Sequence, residues 1–136
     1  MNKKFIISGL AGGVAYFLLG GLVYGKLLTD VMKGWEGSTP IPMKDPPDML
    51  PLIFGNMFIA FLLAHIFTKW ANIRSLNGGF MGGLTVGLFM SAGYDLIFYG
   101  TSNAYNFTGI IMDIIVGTLM MGLVGAVVGF VLSKME

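Results

Sequence analysis

The stretch Ser91-Ala-Gly-Tyr-Asp95-Leu-Ile-Phe-Tyr-Gly100-Thr-Ser-Asn-Ala-Tyr-Asn106-Phe-Thr-Gly-Ile-Ile-Met-Asp113-Ile-Ile-Val-Gly117-Thr118 decides the reading of this chain. It is the end of one apolar helix, a short polar turn, and the start of the next. Two carboxylates, Asp95 and Asp113, stand inside hydrophobic sequence on either side of the turn 100–106, whereas every other acid lies in a loop or at the C-terminus. A carboxylate costs about 2.5–3.5 kcal/mol at the centre of a bilayer and less near its surface. These two therefore need a physical reason.

Outward from that turn, the chain is apolar almost throughout. Of 136 residues, 55% are hydrophobic and 11% charged, and the mean hydropathy is +0.79. A soluble domain of this size has too much surface for its interior to hide such a composition. The pattern predicts an all-α integral membrane protein, a four-transmembrane-helix antiparallel bundle forming a single domain, with helices over about 4–28, 49–71, 76–99 and 107–133. The start Met1-Asn2-Lys3-Lys4 imitates a signal peptide, but the apolar run Phe5–Leu28 exceeds the usual ~7–15 residues and reads as the first span. The absence of cysteine excludes disulfides, thiol nucleophiles and thiolate-bound metals. A net charge of +1 offers no basic surface for nucleic acid.

Between the first two spans lies the only long loop, 29–48, expected to be extracytoplasmic. It carries Asp30, Lys33, Trp35, Glu36, Lys44, Asp45 and Asp48, and its prolines (Pro40, Pro42, Pro46, Pro47) forbid regular helix. It reads as a partly ordered flap on the membrane surface and a connector, with Trp35 in the headgroups; a binding lid is the alternative. The tight connection 72–77 predicts that the third span returns antiparallel beside the second. Lys3, Lys4, Lys69, Arg74 and Lys134 lie at one end of the bundle, against Lys26, Lys33 and Lys44 at the other. That bias predicts both termini in the cytoplasm, with the bacterial inner membrane as the expected location.

In this topology Asp95, Asp113, Asn56 and Tyr24 all fall in the outer half of the bundle, one on each helix. Small residues Gly79, Gly83, Gly87 and Ser91 lead by steps of four to Asp95, and Gly109, Asp113 and Gly117 repeat the step on the last helix, followed by Gly125 and Gly129. Residues four apart share a helix face, so both aspartates extend the stripes along which helices pack. Two carboxylates side by side repel, and a proton or cation held between them relieves the repulsion. Asp95, Asp113, Asn56 and Tyr24 are thus the candidate ion, proton or ligand site. The bland alternative is a structural staple in which Asp95 bonds Tyr24, Asn56 or Lys26, or snorkels to the outer surface.

His65, alone on the second span, suits a helix-to-helix hydrogen bond better than a metal site. Asn106-Phe-Thr108 fits a helix cap better than a glycosylation acceptor. No Ser-His-Asp set and no paired-histidine spacing appears, so neither an enzyme nor a cofactor or metal is expected.

Gly21-Leu-Val-Tyr24-Gly-Lys26 at the end of the first span, with Ala60-Phe-Leu-Leu-Ala64-His65 on the second, resembles the small four-helix membrane proteins of domain-of-unknown-function family 1761. The chain departs from that pattern at Val23-Tyr24-Gly25, where the family tends to show Trp-Tyr followed by Ser-Pro, and lacks a tryptophan in the third helix. The resemblance implies architecture and no activity.

On this reading the foremost expectation is an accessory or assembly subunit docking in a larger membrane complex through its small-residue stripes. The alternatives are a small proton- or cation-coupled transporter acting as a homo-oligomer, with the Asp95/Asp113 site in its outer half, and a lipid- or small-ligand-binding protein. The expected partners are membrane lipids and either further copies of the chain or other membrane subunits.

Overall fold

The structure, a computed structural model, describes residues 3–42, 44 and 46–135; Met43, Asp45, Glu136 and the opening Met1-Asn2 lie outside them. α1 (Lys3–Leu22) runs on through a π-helical turn, Val23–Leu27. α2 (Thr29–Met32) is a single turn continued by a 3₁₀ turn, Lys33–Trp35. α3 (Met49–His65) ends in a second π turn, Ile66–Trp70. α4 (Leu76–Thr101) and α5 (Phe107–Lys134) complete the chain. Four helices, Lys3–Leu27, Met49–Trp70, Leu76–Thr101 and Phe107–Lys134, are long and apolar enough to cross a membrane. The protein is an all-α four-helix membrane bundle.

The helix ends follow from local chemistry. Pro51 sits in the first turn of α3, where its missing N–H costs nothing. Asn72 closes the π turn at a left-handed φ of 52°, a conformation asparagine tolerates, and lets the Ile73 N–H bond the Phe67 carbonyl at 3.0 Å. Ser75 caps α4 by accepting from the Gly78 N–H at 3.0 Å, and Asn106 caps α5 by accepting from the Gly109 N–H at 2.7 Å. Asn106 also donates to the Gly34 carbonyl at 2.7 Å, tying the two far loops together. Asn106→Ala should therefore lower the thermal unfolding free energy by about 1–2 kcal/mol, read by circular dichroism in detergent.

Helices that are apolar on every side choose neighbours by how closely their backbones can approach. α4 and α5 cross on facing glycines: a Cβ on Gly79 would strike the Gly125 carbonyl, and one on Gly83 the Met121 carbonyl. Towards the far end the same seam continues through Gly87 against Thr118 and Met121, and Gly117 against Ser91; at the other end Gly129 lies against Ser75 and Gly79. α1 packs on α3 by taking the Phe61 ring over Gly9 and the Met57 thioether over Gly13, and it packs on α5 where Gly12 meets Val128.

The resulting order is α3, α1, α5, α4, which corrects the expected pairing of the second and third spans. The short connection does bring Phe67 and Ile73 against Gly82, but α3 spends its small residue Ala60 on α1 and α4 spends its glycines on α5. Beyond the connection α3 and α4 do not pack as a pair. The dense core, with Leu63, Phe67, Met121, Val124, Val128 and Leu132 buried, fills the half of the bundle near the termini. The far half is more open.

At the far end the long loop is not a free flap. The Gly37 N–H donates to the Ala104 carbonyl (2.9 Å), the Thr39 N–H to the Asn103 carbonyl (3.0 Å) and the Asn106 N–H to the Trp35 carbonyl (2.8 Å). An antiparallel bridge joins Glu36 to Tyr105. Backbone groups at a membrane surface need partners, and the two loops supply one another's. Trp35, expected in the headgroups, is instead 4% exposed and seated over Gly109, where a side chain would block it.

Candidate functional site

Asp95 lies six residues before the end of α4 and Asp113 six residues after the start of α5. Both thus sit about 9 Å from the far helix ends, at 1.5 Å rise per residue. The glycine crossing brings the two faces together, and both carboxylates line the same two cavities. Tyr24 arrives from the π turn of α1, and its Oη donates to Asp113 Oδ1 at 2.8 Å. A π turn widens the helix locally and re-aims its side chains, a device frequent at functional sites. Asp95 Oδ2 exposes less than 1 Å² and no hydrogen-bond donor reaches it.

Two cavities meet at this pair. The inner one, of about 400 Å³, extends past Tyr16 and Ser91 to Met121. The outer one, of about 510 Å³, lies beneath the loop cap and is walled by Trp35, Phe98 and Tyr105. Tyr24, Tyr94, Asp95 and Asp113 line both. No Lys, Arg or His lines either cavity among the described residues, so the two carboxylates face no compensating charge there. Tyr105, on the loop between α4 and α5, has its phenol pushed up from the usual range, chiefly by burial and then by the Asp113 and Asp95 charges. It therefore stays neutral through the physiological range, and its stabilising contribution is lost only as the pH rises past 10.

Of the candidate residues, the structure brings Tyr24, Asp95 and Asp113 together and leaves Asn56 apart. The Asn56 amide donates to the Leu52 carbonyl of its own helix at 2.8 Å, and Asn56 lines neither cavity. The Tyr24 hydroxyl meets Asp113 and not Asp95. His65 makes edge-on ring contacts with Phe5 of α1 (6.1 Å) and Trp70 (5.0 Å), in place of the expected hydrogen bond between helices.

Tyr16, Trp35 and Tyr105 were not singled out for the site by sequence reasoning. For Tyr16 a signal existed: Gly12, Tyr16, Gly20 and Tyr24 form one row of steps of four, the spacing that marked the aspartates. For Trp35 and Tyr105 none existed, because the course of the loops places them. Set against models of protein families, curated proteins and solved structures, the chain matches none of them.

Proposed function

We propose that this protein is a small cation-handling membrane protein, a proton- or cation-coupled transporter in which Asp95 and Asp113 form the exchangeable site. The observation that carries the reading is the juxtaposition of the two carboxyl groups at the junction of two cavities, with the Tyr24 hydroxyl as donor to one of them and no basic residue in the lining among the described residues. A cation or a proton between the acids removes a repulsion that the low-dielectric surroundings amplify. Exchange of one for the other is the elementary step of coupled transport. On the count of basic residues the termini are cytoplasmic and the cap faces away from the cytoplasm.

The docking role expected first rested on small-residue stripes free to meet another protein. The stripes of α4 and α5 are occupied by each other, which leaves the polar site as the more informative feature. One observation still favours association: α4 packs chiefly on α5 and leaves most of its surface, including Phe89 and Ile97, uncovered. Further copies of the chain or another membrane subunit would cover it.

The test is reconstitution of the purified chain in liposomes enclosing a pH-sensitive dye. An imposed cation gradient should drive proton movement, and Asp95→Asn or Asp113→Asn should each reduce it at least tenfold while helical content is kept. Unchanged movement in both variants would sink the proposal.

A further inference from the structure

We infer that the cation taken at Asp95 and Asp113 is an organic ammonium carrying an apolar body, held by the carboxylates and by the aromatic rings of the two cavities. This rests on the carboxylate site proposed above and names its ligand class.

The chemistry of the lining separates the candidate ligands. Anions, phosphates included, meet two carboxylates and no base. A bare inorganic cation of the hard type asks for about six to eight oxygen ligands. The oxygens of the inner cavity, four on the carboxylates and the hydroxyls of Tyr16, Tyr24, Tyr94 and Ser91, are enough in number. The Tyr24 hydroxyl, however, is already turned to Asp113 as a donor, and the remaining side chains end in carbon or sulfur. Among the described residues no three His, Cys, Asp or Glu side chains converge on one point. A proton alone would satisfy the acids but would make no use of the aromatic walls of the two cavities, of about 400 and 510 Å³.

An ammonium group with hydrocarbon substituents fits each part of the site. Its charge is diffuse and weakly hydrated, so it needs no full shell of oxygens. It is attracted to ring faces as well as to carboxylates, and Trp35, Phe98, Tyr105, Tyr94 and Tyr24 wall the outer cavity. Its apolar part matches the carbon and sulfur surface, the usual make-up of a small-molecule site with few polar groups. Asp95 Oδ2, buried and reached by no donor, is the unexplained acceptor in this setting. The inner cavity also has a mouth suited to such a molecule. Ile59 of α3 and Met90 of α4 line it where those helices do not pack as a pair. Tyr94, lining both cavities, is nevertheless 78% exposed and stands at the edge of the opening.

Trp35 is one of two tryptophans in the chain, so Trp70→Phe makes it the sole indole reporter of the outer cavity. The full-length Trp70→Phe protein in neutral maltoside micelles is titrated with benzyltrimethylammonium and, separately, with its uncharged isostere neopentylbenzene. The expected result is a saturable change in Trp35 emission with the ammonium and none with the isostere. Asp113→Asn should raise the half-saturation concentration at least tenfold. The isostere comparison needs no second variant, so misfolding of Asp113→Asn would not blunt the test. Equal responses to both molecules would overturn the inference, because charge would then play no part. Absence of any response to the ammonium, with cation-driven proton movement intact, would overturn the ligand class and leave the carboxylate site standing. Loss of both would remove the site as well.

Discussion

Gly83→Leu should separate α5 from α4 and cost about 3 kcal/mol or more of stability. A Cβ at Gly83 would run into the Met121 carbonyl and lie within 3.1 Å of the Gly122 Cα. These are backbone atoms, and no rotamer change moves them aside. Relief therefore requires the helices to part, which loosens the glycine seam from Gly79 to Gly87 and pulls Asp95 away from Asp113. Gly93→Ala is the matched control on the same helix. Nothing stands within 4 Å of a Cβ there, and the higher helix propensity of alanine favours the folded state by up to about 1 kcal/mol. Thermal unfolding in maltoside, followed by far-ultraviolet circular dichroism, should show a large drop for the first variant and none for the second. A small effect of Gly83→Leu would mean that the close crossing is not what holds α4.

Tyr24→Phe should cost about 2 kcal/mol, through loss of the donor to Asp113 Oδ1. The ring is kept, so packing changes little, and the effect belongs to the hydroxyl. A double-mutant cycle isolates it. In an Asp113→Asn background the acceptor is no longer an anion, and removing the hydroxyl should then cost less by at least about 1 kcal/mol. Additive losses would show that Tyr24 and Asp113 act independently, against the geometry. The comparison also separates the staple reading from the site reading. A pure staple loses stability in both single variants and has no exchangeable proton to lose.

The four spans could be read directly because an apolar run long enough to cross a bilayer is too long for the core of so small a soluble domain. With the π turns counted into the first two spans, each predicted boundary falls within two residues of the span observed, as with 4–28 against Lys3–Leu27 and 76–99 against Leu76–Thr101. Asp95 and Asp113 were legible for the opposite reason, being charges where charges are costly. Depth along a helix follows from counting residues, but which way a side chain faces does not. Asn56 has the right depth on α3, yet its helix turns Ala60 and Met57 towards α1 and leaves the amide to its own backbone. Helices apolar on all sides carry no amphipathic signal to name the inward face. The same silence hid the α3, α1, α5, α4 order, which only the match of glycine rows decides. The seat of Trp35 was beyond reach, since it depends on hydrogen bonds between two loops far apart in sequence.

The central claim is that Asp95 and Asp113 hold an exchangeable proton or cation between them. The most direct measurement is infrared difference spectroscopy of the protein in lipid across a pH series, reading the carbonyl stretch of protonated carboxyl groups. The account predicts a band that appears and disappears with pH, is altered by a bound cation, and is abolished by either Asp95→Asn or Asp113→Asn. A band that survives both substitutions, or a spectrum with no titrating carboxyl at all, would contradict it.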